Sequence, residues 1–144
     1  VKLQPANAEA HYYYAVNLWK RRKGPDDTER LAQVETLLKQ SVTLDPRLGV
    51  GYLQLGVLYS ERRDFSRAVS SYQEAIKASP QLEEAHYRLA QAYKQTGEKT
   101  KAKQELQLYK EISDKKEEDV ERERRESRQF VYTLRSPAAG PPSP

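Results

Sequence analysis

Cysteine and methionine are both absent from the 144 residues. Without cysteine there is no disulfide and no thiolate zinc site, although this absence says nothing about compartment. Glycine is scarce, at six residues, and no glycine run could cradle a phosphate. No apolar stretch approaches the length of a membrane span, so none is expected in this segment. There are two histidines and no His-x-x-x-His pair, so no metal site is expected. The formal net charge is +4, but acidic residues are interspersed with the basic ones throughout. That pattern argues against nucleic acid as a partner. No cofactor is implied. The chain opens on Val1-Lys2-Leu3-Gln4-Pro5 without a methionine and is expected to be a piece of a longer polypeptide.

What is present is a repeat. Pro46 and Pro80 are 34 residues apart, as are Leu55 and Leu89, Tyr59 and Tyr93, and Ala68 and Ala102. Between Val50 and Pro80 stand Tyr52, Leu55, Gly56, Tyr59, Ala68, Tyr72, Ala75 and the closing proline. The next copy has His86, Leu89, Ala90, Tyr93, Ala102, Leu106 and Tyr109, with Asp114 in place of the proline. An earlier copy carries Tyr14, Ala15, Leu18, Val34, Leu38, Ser41 and Pro46. It is stretched: Pro5 to Pro46 is 41 residues, and the extra ones fall around Trp19 to Asp27. Pro5 is expected to end a further repeat upstream. A small residue at 15, 56 and 90 lets a paired helix approach closely. Phe65, Ala68, Val69, Tyr72 and Ile76 form the apolar stripe of that second helix. Asp64 is an expected helix cap and Gly97 a helix end, and Asp26-Asp27 after Gly24-Pro25 reads as a turn with a helix cap.

This pattern resembles the tetratricopeptide repeat (TPR), over roughly residues 1–114. The resemblance implies an all-α fold, a right-handed superhelical solenoid of antiparallel helix hairpins with a long C-terminal helix. Hairpins are expected at about 7–46, 48–80 and 82–113, followed by a charged helical extension over 115–129. An apolar segment and a proline-rich tail complete the chain over 130–144. The family binds polypeptides and is not enzymatic, and no catalytic constellation is visible here.

In that family the first helix of each hairpin lines a concave groove. The matching residues are Tyr12, Val16 and Trp19, then Val50, Leu53 and Val57, then Tyr87, Gln91 and Lys94, with Arg88 at the edge. Most are apolar or aromatic, which fits a groove for a peptide or an amphipathic helix. The alternative is that the same residues pack against neighbouring repeats. A subclass of the family grips a C-terminal carboxylate. Its clamp positions hold Tyr12, Val16, Gln54, Glu84 and Arg88 here, and only Arg88 suits that role. Trp19 reads either as an exposed hot spot or as the anchor of the inserted loop. Lys20-Arg21-Arg22-Lys23 complements a helix C-terminus. His11 and His86 occupy equivalent repeat positions, which points to packing.

Beyond Ile112 the pattern changes. Residues 115–128 hold basic and acidic side chains in equal number, with no helix breaker. A long helix is expected to run to about Arg128, laced by Glu118–Arg122, Glu121–Arg125 and Asp119–Arg122 pairs. Phe130, Val131, Tyr132 and Leu134 then form a compact apolar segment. It reads as a docking segment for the groove of its own or a neighbouring copy, or as a cover for the last hairpin. Burying the four would contribute about 6–12 kcal/mol, which ordering the segment would largely offset. The expected function is a protein-interaction module that takes a protein or peptide, with self-association through this segment as the alternative.

Overall fold

The structure, a computed structural model, describes residues 7–24 and 26–135. Among these residues there are six α-helices and no strand. They are α1 (Ala8–Lys20), α2 (Thr28–Leu44), α3 (Gly49–Glu61), α4 (Phe65–Ala78), α5 (Glu83–Gln95) and α6 (Lys99–Arg135). The chain divides into two compact units, Val1–Tyr109 and Lys110–Pro144. Pro5 and the tail beyond Arg135 lie outside the described residues.

The first unit is a stack of hairpins. Helix α1 packs on α2 and α3 on α4, while α2 against α3 and α4 against α5 join one hairpin to the next. Each joint is the same four-residue turn. In Asp45-Pro46-Arg47-Leu48 the amide of Leu48 donates to Asp45, and in Ser79-Pro80-Gln81-Leu82 that of Leu82 donates to Ser79. Proline at the second position presets the turn and cannot extend the helix before it.

Within hairpins the turn is a Schellman-type cap. The amide of Asp64 donates to Tyr59 and that of Glu98 to Tyr93. The residue between must be left-handed: Gly97 has φ +80° and Arg63 has φ +59°. Asp64 then caps α4 by accepting from the amide of Arg67 at 3.2 Å. Asp27 stands at the N-cap position of α2 but makes no side-chain cap bond. Its carboxylate takes the amide of Lys23 and pairs with Arg30. The first hairpin carries its extra residues in a seven-residue connection, where the other two have three.

The core runs through Ala15, Val34, Leu38, Leu55, Leu58, Ala68, Tyr72, Leu89 and Ala102. Gly56 is the tightest point. A Cβ there would lie 2.3 Å from the Tyr72 ring. His11 and His86 are buried as packing residues. The Nδ1 of His11 meets the carbonyl of Asn7. His86 meets two acceptors, the Glu105 carboxylate at 2.7 Å and the Pro80 carbonyl at 2.9 Å.

In the second unit α6 continues to Arg135, seven residues past the expected end. Val131 and Thr133 cost a helix only tenths of a kcal/mol each, and the Thr133 hydroxyl donates back to Gln129. Of the expected pairs, Arg122–Asp119 forms at 3.1 Å. Glu121 turns to Arg124 and Arg128 rather than to Arg125.

Candidate functional site

Helices α1, α3 and α5 present the face that the resemblance marks for binding. The structure sorts its expected residues into three groups. Tyr12, Val16, Val50, Val57, Arg88 and Gln91 are half-buried, while Tyr87 and Lys94 are exposed. Leu53 and Trp19 are corrections: both belong to the core, at 2% and 6% exposure. Leu53 sits on the middle helix, which packs against α2, α4 and α5, so more of its circumference is covered. Trp19 lies in the last turn of α1 with the Arg22 guanidinium 5.5 Å over its ring. Arg22 is in turn tied to Glu61 on α3. Trp19 therefore holds down the stretched connection, and its indole N–H is buried without a partner.

The face also contains polar groups. Burial raises the pKa of Tyr12 above 10.0, as do Tyr13 and Glu84, while a hydrogen bond from Gln54 opposes them. Tyr72 reaches the face from α4 through the core. Its hydroxyl lies 3.0 Å from that of Ser60. Burial pushes its pKa up, against the opposing pull of Ser60 and Arg88. The Nε of Arg88 donates to Glu84 at 2.9 Å, and the rings of Tyr87 and Tyr109 are 5.4 Å apart.

These groups surround a cavity of about 180 Å³ between α3 and α5, walled by Ser60, Tyr72, Tyr87, Arg88 and Gln91. Tyr87, Arg88 and Gln91 are among the residues expected from the sequence, whereas Ser60 and Tyr72 are not. The only available signal was tyrosine, with its polar tip, at a core position held elsewhere by Leu38 and Leu106.

Phe130, Val131, Tyr132 and Leu134 are not a separate segment. They belong to the last turns of α6 and are 65%, 44%, 62% and 63% exposed. No described helix is long and apolar enough to cross a membrane. Among the described residues no cluster of histidine and carboxylates could hold a metal.

Comparison with known proteins points to the same repeat. The tetratricopeptide-repeat profile matches residues 59–120. No curated protein matches the chain. A crystal structure of MamA superposes with a TM-score of 0.71 at 20% identity, covering 81% of this chain and 64% of that one. The MamA RS-1 ArsTM double mutant gives 0.66 at 17% identity, covering 78% and 60%. The second TPR of Spaghetti (RPAP3), bound to the HSP90 peptide SRMEEVD, gives 0.65 at 13% identity, covering 74% and 92%. This chain thus spans less than two thirds of the MamA chains, and at such identities the likeness is one of fold. The chain has the tetratricopeptide-repeat fold, with the family's profile matched over residues 59–120.

Proposed function

We propose that this chain is a protein-interaction module that receives a peptide or helix along the face of α1, α3 and α5. One observation carries the reading. An apolar and aromatic row (Tyr12, Val16, Val50, Val57, Tyr87) crosses three helices without being consumed by the core. Side chains left in that state on a regular scaffold are the usual makings of a peptide groove. The cavity beside Tyr72 has room for one medium-sized side chain of the ligand.

The fold accommodates such a ligand in RPAP3, whose second TPR is bound to an HSP90 peptide. A grip on a terminal carboxylate is disfavoured in this chain. Arg88 is the one cation at the clamp positions, and Glu84 already holds it. Recognition therefore rests on apolar side chains rather than on a terminal carboxylate.

The test is a capture experiment with the full chain beside a Tyr12→Ala/Val57→Ala/Tyr87→Ala variant, both shown to be helical. The variant should lose the partners that the natural chain recovers. Equal recovery would mean that this face is not the binding surface.

A second reading rests on the exposed Phe130, Val131, Tyr132 and Leu134. They would dock into the groove of a neighbouring copy. A mass that stays monomeric across a wide concentration range would remove this reading.

A further inference from the structure

In the second unit the apolar residues of α6 fall on one side. Steps of three and four residues from Ile112 bring Val120, Val131 and Leu134 into line, with Phe130 beside them. Lys116, Glu123 and Ser127 share that side and are its polar members. Tyr132 lies outside the stripe. Ile112 is buried, so the open part of the stripe begins after it. Val120 is 52% exposed, and Phe130, Val131 and Leu134 are similarly open. Single apolar residues on a surface are ordinary. A row that returns to the same side over about four turns is the pattern that another helix covers.

The charges beside the stripe are divided along the helix. Residues 117–123 hold five acids and one arginine. Residues 124–135 hold four arginines and one acid. Within the chain these groups are only loosely engaged. Arg128 reaches back seven residues to Glu121 at 3.4 Å, and Arg124 reaches the same carboxylate at 3.6 Å. All three side chains are at least half exposed. Ion pairs this open to solvent contribute little to stability. The acids and arginines therefore remain available to a partner of the opposite pattern, and the helix itself has that pattern when reversed.

We infer that α6 pairs antiparallel with α6 of a second copy over residues 116–135. A twofold centred near Arg125 sets the acids of each helix against the arginines of the other. Glu117 then meets Arg135, and Glu121 meets Arg128. The same register lays Val120 on Val131 and carries the Lys116 stem over Leu134. Glu123 faces the Ser127 hydroxyl. Polar members of such a seam fix its register more than they strengthen it. The twofold repeats every contact and covers four exposed apolar side chains from each copy.

A parallel pair is disfavoured, because it would set acids on acids and arginines on arginines. An anionic membrane surface fits less well, since five acids precede the arginines on the same helix. The pairing is also distinct from docking of Phe130 in a neighbouring groove. It depends on Val120 and the flanking charges, and it needs no residue of the α1, α3 and α5 face.

Sedimentation of the full chain from micromolar to near-millimolar concentration should show a monomer–dimer equilibrium. Glu117→Arg/Glu121→Arg and Arg128→Glu/Arg135→Glu should each raise the dissociation constant at least about tenfold. Mixed in equal amounts, these two variants should pair with each other again. Direction is read by disulfide trapping, which is clean because the chain has no cysteine. Val120→Cys and Val131→Cys, both still helical by circular dichroism, should couple to each other faster than either couples to itself. Four outcomes would overturn the inference. One is a dimer indifferent to the charge reversals. Another is faster self-coupling of Val120→Cys, which would mark parallel helices. A third is a dimer lost in Tyr12→Ala/Val57→Ala/Tyr87→Ala, which would give the C-terminal turns to the groove. The last is a monomer at every concentration, and its co-sedimentation with phosphatidylserine vesicles would give the stripe to a lipid surface.

Discussion

Gly56 and Tyr72 make the sharpest test of how the hairpins are held together. A Cβ added at Gly56 would stand 2.3, 2.5 and 2.8 Å from three atoms of the Tyr72 ring. The ring has little room to retreat. It is 1% exposed, and its hydroxyl is held by Ser60. Overpacking of this kind costs about 1–3 kcal/mol. Breaking the Ser60 bond to relieve it would cost about 1 kcal/mol more. Alanine recovers about 1 kcal/mol as the better helix former. Gly56→Ala should therefore destabilise by about 1–3 kcal/mol, a fall of about 4–12 °C in midpoint. The other two hairpins carry alanine here, as Ala15 and Ala90, and each has leucine, Leu38 or Leu106, where Tyr72 stands. Installing that pair as Gly56→Ala/Tyr72→Leu should make the alanine much less costly than it is opposite tyrosine. A double-mutant cycle in urea, followed by circular dichroism, measures the coupling. The reasoning fails if Gly56→Ala is as stable as the natural chain, or costs the same in both backgrounds.

Three further outcomes are expected. His86→Ala should lose about 2–4 kcal/mol in a denaturant titration, because it strands the Pro80 carbonyl and the Glu105 carboxylate beside a buried gap. Arg63→Gly should gain about 0.5–1 kcal/mol by thermal melting. It removes a left-handed non-glycine residue at the position where the next hairpin already uses Gly97. The pKa of Tyr72 is raised above its ordinary 10.0, chiefly by burial. Its contribution to stability is complete below pH 10 and is lost as pH rises through the higher folded-state value. The alkaline loss of stability should therefore shrink in Tyr72→Phe, as read by melting between pH 9 and about 12.

Much of the fold could be read from the sequence because the repeat is enforced by groups with few substitutes. Proline at 46 and 80 sets the joints, and a small residue at 15, 56 and 90 sets the helix approach. Faces were harder to read. Spacing places Leu53 and Val57 on one side of α3, but burial depends on which neighbours arrive, and the middle helix is flanked on more sides than α1. Trp19 was ambiguous because nothing local foretells that Arg22 will reach across to Glu61. Helix α6 runs past the expected Arg128 to Arg135, since a β-branched and aromatic run does not stop a helix that no proline or glycine interrupts.

The seven-residue connection between α1 and α2 has a consequence for handling the protein. It carries Arg21, Arg22 and Lys23 on a surface excursion more than twice as long as the other hairpin turns. Trypsin cuts after such residues where the backbone can enter its cleft. Here the Arg21 carbonyl accepts from Arg30, Arg22 is held by Glu61, and the Lys23 amide is held by Asp27. Cleavage at this connection should therefore be slow. The severed α1 should stay seated, because Trp19, Ala15 and the Ser41 bond to the Ala8 carbonyl all hold it from the far side of the cut.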